Sequence, residues 1–431
     1  MRILFINPPN CGRSIPEERY GITSLKQIFR GEPLALEVLA GNLGEHDVHI
    51  LDLKIEPDGL QRELASFNPE LVGLTAMTCE ANTALRLARE VKQSCSAKVV
   101  VGGIHASCDP GFFNRPDIDW ITIGLGKQSL RELVDSLTHG DINAAIAGVA
   151  PTRPGKPLQW LPRNFSPQDL ADHAPPRYDL VANYRTNYTL KTLGLQIGFV
   201  TTAVGCPFDC SFCCIGSLTG NRYLTAGTDS IIRDIKALDQ SPVIRLVDAN
   251  SFADPVHAQK LGDTIEATGI RKQFLADVRA DTVVQHPELF ERWKEIGLRA
   301  VIIGLEEICD ETLNMMEKES CLALNLKAIE TLHGLGLTIV GDFIISPDYD
   351  EKKFDQLADF TKEQQIDLPI YSILTPLPGT RLYQQLKGKI CLHDLDYYTL
   401  TNAVLPRHLD EELFYRRYAN LLVEGHKKGK V

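Results

Sequence analysis

The sequence has no run of about 18 consecutive apolar residues, so nothing in it predicts a membrane-spanning helix. It has no basic run either. Lysine and arginine number 45 against 56 aspartates and glutamates, a net charge of −11, and the footprint of a nucleic-acid-binding protein is absent. The opening Met1-Arg-Ile-Leu-Phe-Ile-Asn-Pro-Pro-Asn10 has only four consecutive apolar residues. A signal peptide needs a longer apolar stretch and a small-residue cleavage site, so this segment reads as the first buried strand of a cytoplasmic protein. Internal repeats and low-complexity tracts are missing. So is a disulfide framework: the 11 cysteines are an odd number and seven of them are scattered. What is there is ordinary for a soluble globular chain: 431 residues, 44% apolar and 23% charged, enough for two domains.

The first segment alternates strands and helices. Apolar runs at Ile3–Ile6, Val48–Leu53, Leu71–Leu74, Val99–Val101 and Trp120–Ile123 are separated by helical spacing at Leu34–Leu43, Ala81–Lys92 and Ser129–Leu137. Runs without alternation imply a parallel sheet covered on both faces. Ligands of such sheets sit at the carboxyl ends of the strands. Here those ends are polar or glycine-rich: Asn7-Pro8-Pro9, Asp52, Thr75–Thr78, Gly102-Gly103 and Gly124-Leu-Gly126. A proline-rich stretch, 143–190, reads as an ordered linker. A second series follows, with strands expected at Ile197–Thr202, Val243–Val247, Gln273–Asp277, Ala300–Gly304, Thr338–Ile345 and Ile370–Leu374. Six βα units predict a partial barrel, short of the eight of a closed one. The expected division is 1–142, linker 143–190, barrel 191–385 and a short helical C-terminal segment 386–431.

Only Cys206 to Cys214 form a cysteine cluster. In Gly205-Cys206-Pro-Phe-Asp-Cys210-Ser-Phe-Cys213-Cys214, three thiols at spacings of four and three share one loop after a predicted strand. That pattern suits three corners of an iron–sulfur cubane, with the fourth iron open to a ligand. Zinc is the rival. A structural zinc site wants four closed nitrogen or sulfur ligands, usually in two pairs, and no second pair or nearby histidine follows. The plain alternative is a set of buried apolar cysteines, the expected state of Cys214, Cys309 and Cys321.

Cys-x3-Cys-x2-Cys with Phe212 before the third cysteine resembles the radical SAM signature. The resemblance extends over most of Gly198–Pro378. It takes in Val247-Asp248-Ala249-Asn250-Ser251-Phe252, then Gly304-Leu305-Glu306-Glu307 with Asp310, Leu313 and Lys318. It continues through Val340-Gly-Asp-Phe-Ile344 and Thr375-Pro376-Leu377-Pro378-Gly379-Thr380. It implies a [4Fe–4S] cluster on Cys206, Cys210 and Cys213. It also implies S-adenosylmethionine contacts from Phe212, Asp248, Asn250, Glu306 and Pro376. Taken singly, each polar strand-end residue serves equally well as a loop or helix cap.

A doubly wound, Rossmann-like domain before such a barrel resembles the cobalamin-binding subclass of that family. The matches are Asn7-Pro8-Pro9, Glu32-Pro33-Leu34-Ala35-Leu36-Glu37, His46-Asp-Val-His-Ile-Leu-Asp52, Leu71-Val-Gly-Leu-Thr75 and Gly102-Gly103-Ile104-His105-Ala106. The resemblance implies cobalamin contacts from Asn7, Pro8, Glu32, Pro33, Leu34, Asp52, Thr75, Met77, Thr78, Gly102, Gly103, His105 and Gly124. Asp-x-His-x-x-Gly, which supplies a lower axial histidine in other cobalamin proteins, is absent. The implied corrinoid is therefore base-off, with the loop Thr75–Cys79 facing the cobalt. There is one departure: Gly-Glu-Gly-Glu of the family is Gly124-Leu125-Gly126-Lys127 here. Without the resemblance, the domain reads as one that binds something else or nothing.

The resemblance implies methyl transfer to an unactivated carbon, through methylcobalamin and a 5′-deoxyadenosyl radical. Thr375–Thr380, Leu382-Tyr383, Asp394-Leu-Asp-Tyr397 and Ala403-Val-Leu-Pro406 resemble the end of hopanoid C-3 methylase-like proteins, which points to a small-molecule or lipid-like substrate. Such chemistry implies an external reductant such as a flavodoxin or ferredoxin. Oxidative cyclisation, desaturation or rearrangement, as in the anaerobic magnesium-protoporphyrin ester cyclases, is the second reading. A non-catalytic iron–sulfur or cobalamin regulatory or electron-transfer protein is the third.

Overall fold

The computed structural model describes residues 1–23, 31–141, 144–171, 174–190 and 195–426. The expected boundaries at 142/143 and at 191 lie outside them. The first sheet is built from β1 (Arg2–Asn7), β2 (Asp47–Asp52), β3 (Leu71–Thr75), β4 (Lys98–Gly102), β5 (Trp120–Thr122) and β6 (Val149–Pro151), in the order β2-β1-β3-β4-β5-β6. β1 to β5 are parallel and β6 is antiparallel to β5. The two-residue period of the strands feeds two cores. Leu4, Ile6, Val72, Leu74, Val99 and Val101 pack on the helices Leu60–Phe67 and Ala81–Ser94. Ile3, Phe5, Leu71 and Val100 pack on the helices Leu34–Gly41 and Gly126–Thr138. Both faces are covered, so near-continuous apolar strands are what the architecture requires.

The second sheet consists of β7 (Thr189–Leu190), β8 (Leu195–Val200), β11 (Val243–Leu246), β12 (Gln273–Val278), β13 (Leu298–Glu306), β14 (Thr338–Ile345) and β15 (Leu368–Ile373), in the order β15-β14-β13-β12-β11-β8-β7. β8 and β11 to β15 form six parallel strands in chain order, the open half-barrel that the six units predict. Between β8 and β11, β9 (Ala203–Val204) and β10 (Leu224–Thr225) make a small antiparallel pair. No helix among the described residues is long and apolar enough to cross a membrane.

The connecting and C-terminal segments both pack into the two sheets' cores. The proline-rich stretch is more than a linker. It supplies β6 to the first sheet and β7 to the second, and its 3-10 segment Tyr178–Asn187 buries Val181 and Tyr184 in the first domain's core. The C-terminal segment is helical, as expected. Its helix Glu411–His426 places Phe414, Tyr415, Tyr418, Leu421 and Leu422 in the barrel core, and the Tyr418 hydroxyl donates to the Tyr371 carbonyl at 2.8 Å. Before that helix, the chain returns across the first domain. Asn402, fully buried, donates to the carbonyls of Arg13 and Tyr397 at 2.9 and 2.8 Å and accepts from Ile15 N at 2.8 Å. A buried amide with its hydrogen bonds made fixes this crossing.

Candidate active site at the seam of the two sheets

The cysteine loop runs from Gly205 to Ile215, at the carboxyl end of the half-barrel. Gly205 has φ +83, and a Cβ there would strike the Arg222 carbonyl and sit 2.5 Å from Thr219 Oγ1, so the loop opens on a position only glycine fills. Distant parts of the barrel hold it. Ser211 donates twice to the Met316 carbonyl, through N at 3.1 Å and Oγ at 3.0 Å. Its own carbonyl accepts from Leu382 N at 2.9 Å. The Arg279 guanidinium lies 3.5 Å from the Phe208 ring centroid. Arg381 pairs with Asp209 and Glu317.

All eleven cysteines are free. Burial raises the Cys210 thiol, against the pull of Lys318 and Arg279, and pushes Cys213 up to about 11. Cys206, Cys210 and Cys213 are near enough that charge on one opposes charge on another. Among the described residues, however, no three His, Cys, Asp or Glu side chains converge on the position of one ion. A mononuclear zinc site needs that convergence. A cubane does not, because each thiolate takes a separate iron. Three thiols on one loop are the donor set that a cubane takes. Cys214 turns the other way: its thiol hydrogen-bonds with Cys108 of the first domain, whose sulfur is 3.1 Å from Ser217 Oγ.

The strand ends around this loop divide into occupied and open groups. Asp248 is occupied. Its Oδ1 accepts from Thr202 N and Ala203 N at 2.8 and 2.9 Å, and its Oδ2 from the Thr202 hydroxyl at 2.6 Å. It is buried, which raises its pKa to about 6. This carboxylate ties down the entrance to the cysteine loop. Asn250 is open. It is fully buried, and neither its amide nitrogen nor its oxygen has a partner, a costly state unless a ligand completes it. Glu306 bears a positive φ of +61 at the end of β13 and pairs with Lys318 Nζ at 2.6 Å. Burial pulls the Lys318 ammonium down, but Glu306 outweighs it and leaves it above its usual value. Gly304 makes the pair possible, since a Cβ there would meet the Glu306 carboxylate and sit 2.9 Å from Lys318 Nζ. Phe212 is half-buried beside the cysteines, and Pro376 is buried at the end of the sixth parallel strand.

Sequence reasoning missed the charged lining beneath this mouth. Arg245 of β11 pairs with Asp277 of β12 at 3.0 Å. Asp342 of β14, raised to about 8 by burial and by the charges of Glu306 and Asp277, is the third member. The signal was present: Val243-Ile-Arg-Leu246 and Val340-Gly-Asp-Phe343 each break an apolar strand with one charge. Such a break marks a lumen-facing position.

The carboxyl edge of the first sheet likewise divides. Asn7 donates to Asp52 Oδ1 at 2.9 Å, and the Tyr188 hydroxyl donates to Asp52 Oδ2 at 3.0 Å. Glu32 pairs with Arg185 and accepts from Phe199 N at 2.8 Å, while Leu34 belongs to the barrel's core. Asn7 and Asp52 are thus tied to each other and to the connecting segment, while Glu32 and Leu34 join the first domain to the barrel. Pro8 and Pro33 are buried with them. At the β3 and β4 ends the backbone runs close to its neighbours, and the polar groups there are not all paired. Gly103 has φ +93, and a Cβ on it would sit 2.6 Å from Thr75 Oγ1. A Cβ on Gly102 would strike Thr122 Oγ1. His105, fully buried against Phe112 and Phe113, has no partner on either ring nitrogen, and burial lowers its pKa to about 4. Met77, on the loop after β3, is 55% exposed, and Thr78 beside it is buried. A bare glycine ribbon, an orphaned imidazole and an exposed thioether fit a large amphipathic cofactor lying on this edge.

The two halves meet at the tail of the cysteine loop. Leu125 N donates to the Leu218 carbonyl at 3.2 Å, and Gly124 N to Ser107 Oγ at 2.9 Å.

A B12 binding domain model matches residues 26–134 and a Radical SAM superfamily model residues 200–361. The chain is 30% identical over 400 residues to the hopanoid C-3 methylase of Methylococcus capsulatus, covering 90% of this chain and 75% of that one. It is 24% identical over 449 residues to the anaerobic magnesium-protoporphyrin IX monomethyl ester cyclase of Rubrivivax gelatinosus, covering 97% and 76%. In fold it is similar to TsrM, a radical S-adenosylmethionine methyltransferase from Kitasatospora setae solved with cobalamin and a [4Fe–4S] cluster. The TM-score is 0.73 at 18% identity, over 98% of this chain and 90% of that one. With the B12-binding sheet, the half-barrel and its three-cysteine loop in one chain, the protein belongs to the cobalamin-binding radical SAM enzymes, in the family of hopanoid C-3 methylase.

Proposed function

We propose that this enzyme methylates an unactivated carbon of a small-molecule or lipid-like substrate. Cys206, Cys210 and Cys213 hold the cluster. Asn250, the Glu306–Lys318 pair, Phe212 and Pro376 bind and orient S-adenosylmethionine over its open iron. Thr75, Met77, Thr78, Gly102, Gly103, His105 and Gly124 form the bed of the corrinoid. When bound, the cluster supplies the electron that cleaves S-adenosylmethionine, and cobalamin supplies the methyl carrier. The protein's part is placement: Asp248 fixes the entrance to the cysteine loop, and the half-barrel keeps the bound groups from bulk water.

The observation that carries this reading is the seam. The cysteine loop's tail, Cys214–Leu218, is hydrogen-bonded to the Ser107–Leu125 side of the corrinoid edge, so two cofactors held on these loops are neighbours across one cleft. A low-potential one-electron donor, a flavodoxin or ferredoxin, reduces the cluster. Free thiols throughout suit the reducing cytoplasm. The test is anaerobic: reconstituted protein, hydroxocobalamin, S-adenosylmethionine, reductant and candidate substrates. Expected are 5′-deoxyadenosine, S-adenosylhomocysteine and a product one CH2 heavier. Deoxyadenosine with a product of unchanged carbon count would favour cyclisation, which the similarity to the cyclase supports. Formation of neither nucleoside product would refute both readings.

A further inference from the structure

Glu80 is a buried carboxylate that the reading above leaves without a task. It closes the short turn Thr78–Glu80 directly after β3, and it is only 5% exposed. Its Oε2 accepts from Met77 N at 2.9 Å. Its Oε1 pairs at 2.8 Å with Lys54 Nζ, from the loop after β2. A helix cap needs only the first of these contacts. The second ties the buried carboxylate to a partly exposed cation on another loop, which fixes where the carboxylate stands. Two more ties reach the same loop. The Cys11 thiol, from the loop after β1, contacts the Cys79 carbonyl at 3.6 Å. The Asn82 amide donates at 3.1 and 3.0 Å to Asp394 and Asp396 of the C-terminal return. Loop 75–82 is therefore held from three separate parts of the chain. Yet the side chain it carries at its apex, Met77, points out of the protein. Rigid backbone beneath an exposed apolar side chain is how a site is pre-organised for a ligand.

We propose that Glu80 is a positioning residue for the corrinoid: anchored by Lys54, it fixes the Met77 backbone so that the thioether stands as an apolar floor under the ring. This rests on the cobalamin reading above. In these terms the carboxylate never touches the cofactor. It sets where Met77 stands, and the Lys54 anchor sets where Glu80 stands.

The experiment uses the full chain with its cluster reconstituted and hydroxocobalamin as the probe, read by equilibrium dialysis and by EPR of the bound, reduced cob(II)alamin. Glu80→Ala should weaken retention about tenfold or more, the scale of lost outer-shell support, and shift the cobalt hyperfine pattern. Glu80→Gln, whose amide oxygen can still accept from Met77 N, should stay within about threefold of wild type. Lys54→Met should fall between them, and Met77→Ala should reproduce the spectral shift. Should Glu80→Ala not fold, Lys54→Met with the same two readouts decides. Wild-type protein that retains the corrinoid, with Glu80→Ala and Lys54→Met retaining it equally and with the same spectrum, overturns this proposal alone. Wild-type protein that retains none overturns the cobalamin reading and this inference with it.

Discussion

Replacing Asp248 separates two roles that the sequence alone could not distinguish. A carboxylate at the end of a barrel strand is expected to touch S-adenosylmethionine, yet this one spends both oxygens on Thr202 and Ala203. Asp248→Ala strands two buried backbone N–H donors and a hydroxyl. Each orphaned buried donor costs about 1–3 kcal/mol, so the two amides alone predict a loss of about 2–6 kcal/mol. Asp248→Asn behaves differently. Its oxygen can keep both backbone bonds, and its NH2 can donate to Thr202 Oγ1, whose hydroxyl rotates to accept. What is lost is charge assistance, about 1 kcal/mol.

The expected order in urea denaturation is therefore wild type, then Asp248→Asn close behind, then Asp248→Ala well below. Cluster iron should follow the same order, because Thr202 and Ala203 lead directly into the cysteine loop. Affinity for S-adenosylmethionine in reconstituted Asp248→Asn should be near that of wild type. A ligand role predicts the reverse: full stability in both variants with affinity lost in both. That outcome, or an alanine variant with an unchanged denaturation midpoint, would show that the hydrogen-bonded arrangement does not govern this loop.

Three further outcomes are expected. Cys206→Ala, Cys210→Ala and Cys213→Ala should each lose cluster iron and turnover, while Cys214→Ala, whose thiol faces Cys108 across the seam, should keep both; iron loss in Cys214→Ala would overturn the ligand assignment. His105, held neutral by burial with its pKa near 4, binds fewer protons folded than unfolded between pH 6.5 and 4, so stability should fall as pH drops through that window. The full loss is about 3 kcal/mol, and His105→Phe should flatten that part of the profile in denaturation at pH 7 and pH 5. Gly103→Ala, which forces a side chain into φ +93 and against Thr75, should cost about 1–3 kcal/mol and reduce hydroxocobalamin retention on gel filtration.

Much of the fold was legible because local patterns carried it. Apolar runs with glycine or proline at their ends gave eleven parallel strands their places, and Cys206, Cys210 and Cys213 stood out by spacing alone. The parts that were not legible depend on contacts between distant segments. Val149–Pro151 has no strand pattern of its own and becomes β6 because the edge of β5 offers unpaired backbone. The helix Glu411–His426 was legible as a helix, but its place was not, since its aromatic stripe of Phe414, Tyr415 and Tyr418 has meaning only against the barrel wall. The same limit holds at the site. Polar residues at strand ends look alike in sequence whether they meet a ligand or a neighbour. Asn7, Glu32, Asp52 and Asp248 found partners within the protein, while Asn250 and His105 did not.

The replacement of two family carboxylates by Leu125 and Lys127 illustrates the point best. From sequence it stood as a departure from the family pattern at the corrinoid edge. In the structure Leu125 packs with Phe165, Leu170 and Leu224, joining the connecting segment to the small β9–β10 pair. Lys127 Nζ donates to the Asp169 carbonyl at 3.0 Å in that same segment. Both substitutions therefore bind the stretch between the domains to the corrinoid edge, where carboxylates would have needed cationic or amide partners. An apolar side chain that packs and a cation that caps a carbonyl help to hold this seam, and Gly124, at φ +81 against the Phe165 ring, keeps a backbone conformation that only glycine adopts easily. The departure changes how the domains are joined and leaves the glycine edge itself in place.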